Sequence, residues 1–138
     1  MTVIVTDTGF GLDDWLHGYV AIDDVPAALQ PVRAVYLPSE ADPELLRQIL
    51  GKVEMIRIDF PNFADGRGFT IARRLRLMGF QGRLRARGHI IADQYTMARR
   101  SGFDEIEINA ELAERQPETQ WLYRANWQEH DYQTKLRS

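Results

Sequence analysis

The run Gly82-Arg-Leu-Arg-Ala-Arg-Gly88 decides how this chain is read. Its side chains alternate at period two, with Arg83, Arg85 and Arg87 on one face and Leu84 and Ala86 on the other, which is the pattern of a β-strand. A central strand of a parallel sheet is normally apolar on both faces. An arginine at every second position therefore fits three placements: a sheet edge, pairing with carboxylates such as Asp59, or the wall of a cleft.

Upstream, Met55-Ile-Arg-Ile-Asp-Phe60 is a strand that ends at Pro61. The loop Asn62-Phe-Ala-Asp-Gly-Arg-Gly68 then opens a helix with Ile71, Leu75 and Met78 on one face and Gly79 as its C-cap. Earlier still, Arg33–Leu37 is a strand ended by Pro38. Asp42-Pro43-Glu44 starts a helix, with a capping aspartate, proline at the first position and an acid in the first turn. Leu45, Leu46, Ile49 and Leu50 form its apolar stripe, and Gly51 stops it. Downstream, a helix runs from Asp93 to Arg100 and closes at Ser101-Gly102. Glu105–Asn109 is an alternating strand, and Asn109 caps a helix from Ala110 to Arg115. The segment Trp121-Leu-Tyr123 docks on the body. Thr2–Val5 is a short strand, residues 7–31 are too weakly periodic to assign, and residues 128–138 read as a loose polar tail.

The order from residue 33 to 116 is thus β-α-β-α-β-α-β-α. This defines an α/β protein, a single domain over 1–138 with a repeating core at 33–116 and a mainly parallel sheet. An open doubly wound sheet and a half-barrel arc both fit. The open sheet is preferred, because a half-barrel leaves two edges and one face to hide.

The chain has 138 residues, 44% hydrophobic and 27% charged, as expected of one globular domain. No uncharged apolar run approaches the roughly 18–20 residues of a membrane span. The N-terminus lacks the basic region of a secretory signal, so a cytoplasmic location is expected. There is no cysteine, which excludes disulfides, thiolate nucleophiles and cysteine-ligated metal clusters. His17, His89 and His130 stand apart in sequence, so no metal site is expected. No dinucleotide-binding or Walker glycine loop occurs, and no cofactor is implied by motif. Asp7-Thr-Gly9 has the aspartic-protease triplet but lacks a second copy.

The net charge of −3 conceals a division. Between Asp65 and Arg100, nine arginines face two aspartates, a surplus of seven positive charges, while the remainder is acidic. Arginine forks suit bidentate binding of oxyanions. Nucleic acid is disfavoured by the acidic remainder and by the absence of base-stacking aromatics.

In parallel α/β sheets, ligands sit beyond the carboxyl ends of the strands. Three connections emerge there, and they supply the candidate residues. Asp65, His89 and Asp93 are candidates for acid–base roles. Gly66, Arg67, Gly68, Arg73, Arg85 and Gln94 are candidates for holding an anion, with the glycine amides and a helix N-terminus assisting. On this reading Arg67 and Arg85 converge on one cavity.

The motifs Asp59–Arg73, Gly82–Gly88, Asp93-Gln94 and Gly102-Phe-Asp104 resemble a bacterial family, the domain-of-unknown-function 934 family. The matching positions are Asp65, Gly66, Arg67, Gly68, Ala72, Arg73, Arg76, Gly82, Leu84, Arg85, Gly88, Asp93, Gln94, Gly102 and Phe103. Three features depart from the family pattern: a shorter helix before Gly79, His89 where an acid is usual, and Ser101 where cysteine is frequent. Members are labelled probable oxidoreductases involved in sulfite reduction. The resemblance implies an accessory protein of sulfite or sulfate reduction, binding a small oxyanion or partnering a sulfite reductase or another sulfate-assimilation enzyme. The alternative is a stand-alone enzyme acting on a small phosphorylated or sulfated metabolite.

Overall fold

A computed structural model describes residues 2–28 and 31–128. Apart from Gln128, the C-terminal tail read from the sequence lies outside the described residues. The strands are β1 (Thr2–Thr6), β2 (Gly9–Gly11), β3 (Val20–Ala21), β4 (Ala34–Leu37), β5 (Met55–Phe60), β6 (Arg83–Gly88) and β7 (Glu105–Asn109). The α-helices are α1 (Arg67–Leu77), α2 (Tyr95–Ser101), α3 (Ala110–Arg115) and α4 (Glu118–Leu122).

All seven strands form one sheet in the order β2-β1-β7-β6-β5-β4-β3. β3 to β7 are parallel and each lies beside its neighbour in sequence, while β1 joins β7 antiparallel and β2 hairpins onto β1. The sheet is open, as the sequence led us to expect. It is not doubly wound. Every parallel step goes the same way, so right-handed crossovers deliver every connecting segment to one face.

That face carries the core. Val35, Ile56 and Leu84 form one row across the strands, and Leu37, Ile58, Ala86, Ile106 and Val5 form the next. Ile71, Ala72 and Leu75 of α1 and Ala98 of α2 pack on these rows, with Phe60, Phe69 and Phe103 in mutual ring contact. Trp121 of α4 is buried in the same core, as its docking role requires, and its indole N–H donates to the Gln116 carbonyl at 2.8 Å.

Local signals explain most elements. Asn109 Oδ1 accepts from the Leu112 amide at 2.8 Å and caps α3. Gly79 and Gly102 end α1 and α2 with positive φ. The helix expected from Asp42 is corrected: Pro43–Leu46 is a 3-10 turn followed by further turns. Asp42 does cap it, through the Glu44 amide at 3.0 Å. However, only Leu46 and Leu50 of its stripe are fully buried and Leu45 is exposed, so tertiary packing does not stabilise a regular α-helix of this length. The helix read from Asp93 likewise begins as a 3-10 turn at Ala92–Gln94 before α2.

Asp7 clasps the β1–β2 turn to α2. It accepts from the Tyr95 hydroxyl at 2.6 Å, from Arg99 Nε and Nη2 at 3.1 Å, and from Trp127 Nε1 at 3.3 Å. Burial opposes its ionisation, but these donors outweigh that and hold its carboxyl below the usual range. A depressed folded-state pKa adds stability above the unfolded value and loses it as the pH falls through the folded one. The melting temperature should therefore decline below about pH 4. Asp7→Asn should melt lower than the wild type at pH 7 and decline less on acidification, which a melting series against pH will measure.

Gly88 combines φ +117° with a position where a Cβ would lie 2.7 Å from the Phe60 carbonyl oxygen, whereas nothing lies within 4 Å of a Cβ on Gly51. Gly88→Ala should destabilise by about 1–3 kcal/mol. Gly51→Ala should leave stability unchanged or slightly raised. Denaturant titration of the two variants checks both.

Candidate functional site

Among the described residues the other face of the sheet carries no helix, and most of its central side chains are charged. Across the strands run the rows Tyr36–Arg57–Arg85–Glu105 and Asp59–Arg87–Glu107–Ile4. The strand read first from sequence is therefore central, and its arginines are paired by a neighbour. The neighbouring carboxylates that pair with them are Glu105 and Glu107 on β7.

Arg85 is the centre of this lattice and is fully buried. Its Nε donates to Glu105 Oε2 at 2.6 Å, and its Nη1 donates to Glu107 Oε1 at 2.9 Å and to Asp13 Oδ1 at 3.0 Å. Burial disfavours its charge, but Glu105 and the other carboxylates outweigh that and push its pKa further up. Arg83 grips both Glu105 oxygens through Nη2, at 2.8 and 3.0 Å. Arg57 reaches Glu107 at 3.2 Å, and its guanidinium lies between the rings of Tyr19 (3.8 Å) and Tyr36 (4.3 Å).

Residues 12–19 form an irregular strap over part of this face. Asp13 meets Arg85, Asp14 meets Arg83 at 2.7 Å, and the Tyr19 hydroxyl lies 3.2 Å from Arg85 Nη1. Burial lifts the Tyr19 phenol above its ordinary pKa, so it stays protonated at neutral pH.

Where this face reaches the carboxyl ends of β5–β7, a cleft of about 280 Å³ opens, lined in part by Asp59, Arg87, His89, Glu107, Asn109 and Arg115. Arg87 spans toward Asp59 at 3.5 Å and Glu107 at 3.4 Å. Arg115 is largely exposed, and its one ion-pair partner among the described residues is Glu111 at 4.0 Å. His89 Nδ1 lies 3.2 Å from the Phe60 carbonyl oxygen. A carbonyl can only accept, so Nδ1 carries the hydrogen and the neutral ring keeps its lone pair on Nε2.

The sequence candidates are dispersed. Arg67 lies at the rim, bound to Asp65 at 2.7 Å and to the Ser39 hydroxyl at 2.9 Å, and this pairing holds the Asp65 carboxyl well below the usual range. Arg85 shares no partner with Arg67, so the expected convergence of the two does not occur: alternation turns Arg85 onto the helix-free face. Gly66, Arg73 and Gln94 do come together, in a notch between α1 and α2 with Phe63 and Met97. Gly68 faces the Phe60 ring so closely that any side chain would collide with it, which gives it a packing role. Asp93 points outward to Arg124 at 3.0 Å.

The sequence reading missed Arg57, Glu105, Glu107, Asp13, Tyr19 and Arg115. For Arg57, Glu105 and Glu107 a signal existed: their strands alternate charged and apolar residues in the same phase as β6. For Asp13 and Tyr19 of the strap none did, although Asp14-Trp15 between them weakly matches the family pattern.

Among the described residues no group of three or more His, Asp or Glu could hold a metal ion, and no helix is long and apolar enough to cross a membrane.

The fold and this face define a class: a single-domain α/β protein with helices on one side of a parallel sheet and an arginine–glutamate lattice on the other. The chain belongs to the family described as bacterial protein of unknown function (DUF934), whose model matches residues 34–138. It has no match among curated proteins and none among solved structures.

Arg85→Ala leaves Glu105 and Glu107 short of a cation inside the protein and should cost about 3–5 kcal/mol. Arg67→Ala removes only a rim pair and should melt close to the wild type. Calorimetry of the two variants checks the contrast.

Proposed function

We propose that this protein is an accessory factor of bacterial sulfite or sulfate reduction that binds a small oxyanion on the charged face of its sheet. One observation carries the oxyanion part: Arg57, Arg83, Arg85 and Arg87 are gathered on the helix-free face, with Arg85 wholly enclosed. Burying charge is costly and often contributes no stability over apolar packing. A face that served stability alone would be better built from valine and isoleucine. Guanidinium forks held in place by a lattice are suited to a tetrahedral or pyramidal oxyanion. The assignment to sulfur metabolism rests on the resemblance alone, through the sulfite-reduction label attached to similar proteins. A sulfite reductase or a neighbouring enzyme of the same route is the partner this reading calls for.

A second reading has its own support. His89, bonded through Nδ1 to the Phe60 carbonyl, lines the rim cleft with Arg87 and Arg115, an arrangement suited to acid–base chemistry on a phosphorylated or sulfated metabolite.

Deleting the gene should slow growth on sulfate, and sulfide or cysteine should restore it. Purified protein should bind sulfate or sulfite in calorimetry. Normal growth on sulfate with normal sulfite reductase activity would end the accessory reading. Restoration of a deletion strain by the wild type but not by His89→Asn, with both folded, would favour the enzyme.

A further inference from the structure

Beneath the strap, two guanidinium nitrogens, Arg57 Nε and Arg85 Nη2, are shut off from solvent and make no hydrogen bond. Arg85 Nη2 lies 2.6 Å from Glu105 Oε2 and 3.8 Å from Asp14 Oδ1. The first is an ion-pair contact without hydrogen-bond geometry, to the same oxygen that takes the Nε–H bond at 2.6 Å. Buried donors without acceptors are uncommon and costly. Here both belong to arginines that the strap covers.

The strap is fastened by charge and ring contacts. Leu12 and Leu16 are 85% and 86% exposed, so its aliphatic side chains anchor nothing. Trp15 is bonded within the strap, its amide to Asp13 Oδ1 at 2.9 Å and its indole N–H to the Gly18 carbonyl at 2.8 Å, and its ring lies near Arg33 and Arg83. Tyr19 covers Arg57. The charged links to the buried lattice are Asp13 to Arg85 and Asp14 to Arg83, beside the Tyr19 hydroxyl, which accepts from Arg85 at 3.2 Å. Under the strap, Arg57, Arg83 and Arg85 face only Glu105 and Glu107 from the sheet. With Asp13 and Asp14 added, four carboxylates face these three arginines, one more than the charges require.

We infer that the strap covers a binding site for a doubly charged oxyanion, and that Asp13 and Asp14 hold its place in the free protein. This rests on the oxyanion reading above and extends it by locating the site and naming the group displaced. The exchange is even in charge, since one dianion replaces two carboxylates. A compact ion with several acceptor oxygens can also reach Arg57 Nε and Arg85 Nη2, which two tethered carboxylates leave unbonded. Binding therefore swings the strap, and Trp15 with it, away from the sheet.

Sulfate, sulfite and phosphate, each titrated against sodium chloride of equal ionic strength, test this by NMR of the Trp15 indole resonance, assigned through its loss in Trp15→Phe. Nitrate serves as the singly charged control. In the wild type the dianions should shift that resonance saturably and nitrate should not. Asp13→Asn/Asp14→Asn, which keeps the shape and removes the competing charge, should bind at least fivefold more tightly. Asp14→Asn alone, at a largely exposed position, should show a smaller gain and serves if the double variant does not fold. Binding to the variant alone would support the inference equally. Dianion binding seen by calorimetry with the Trp15 resonance unmoved and the affinity unchanged in the variants would overturn it while leaving the oxyanion reading intact. No binding to either protein would overturn both.

Discussion

Arg85 is the group on which the sheet depends. Its side chain is wholly enclosed, and three carboxylates reach it within about a hydrogen bond: Glu105 at 2.6 Å, Glu107 at 2.9 Å and Asp13 at 3.0 Å. A charge in such a place is tolerated only when its partners are fixed. The pairing of β6 with β7 is therefore fixed twice. Arg85 lies opposite Glu105, while Ala86 lies opposite Ile106 on the other face. A slip of one residue would turn the arginines into the apolar core and strand both glutamates.

The two faces also divide the work. On one, α1 and α2 close over the aliphatic rows and supply the hydrophobic stabilisation of the domain. The opposite face, freed from that task by the one-way order of the strands, keeps its polar groups near solvent and under a thin cover. Charged side chains can be enclosed there without a helix above them, because the strap brings carboxylates of its own. The rim cleft continues this surface, since Asp59, Arg87 and Glu107 belong to both. An anion under the strap and a metabolite at the rim would touch one connected set of side chains.

Some of this was legible in the chain. Alternation along residues 83–87 and 105–109 marks strands, because side chains on a pleat point to opposite sides in turn. Asn109, Gly79 and Gly102 marked helix ends through local hydrogen bonding and positive φ. The matched family positions include Arg76, which looks from sequence like one more surface cation. In the structure it donates to the Phe80, Gly82 and Gly102 carbonyls and to Asp104, tying the turns around α1 together. Neither a run of arginines nor a motif reveals which of them the fold consumes internally.

The sequence by itself determined the α/β class and most elements between residues 33 and 116, since periodicity and capping are local and each is written within a few residues, but it assigned nothing in residues 7–31 and took the 3-10 turn at Pro43–Leu46 for a helix. It also determined that arginines would share one strand face. Only the tertiary structure decided which face that was, which neighbour answered it and what covered it. Asp13 and Arg85 are 72 positions apart. Their meeting depends on the strand order, on the hand of each crossover and on the path of an irregular segment with no periodicity of its own. Contacts of that range are settled by the packing of the whole sheet, where the energy of enclosing one guanidinium selects its partners from wherever in the chain they come.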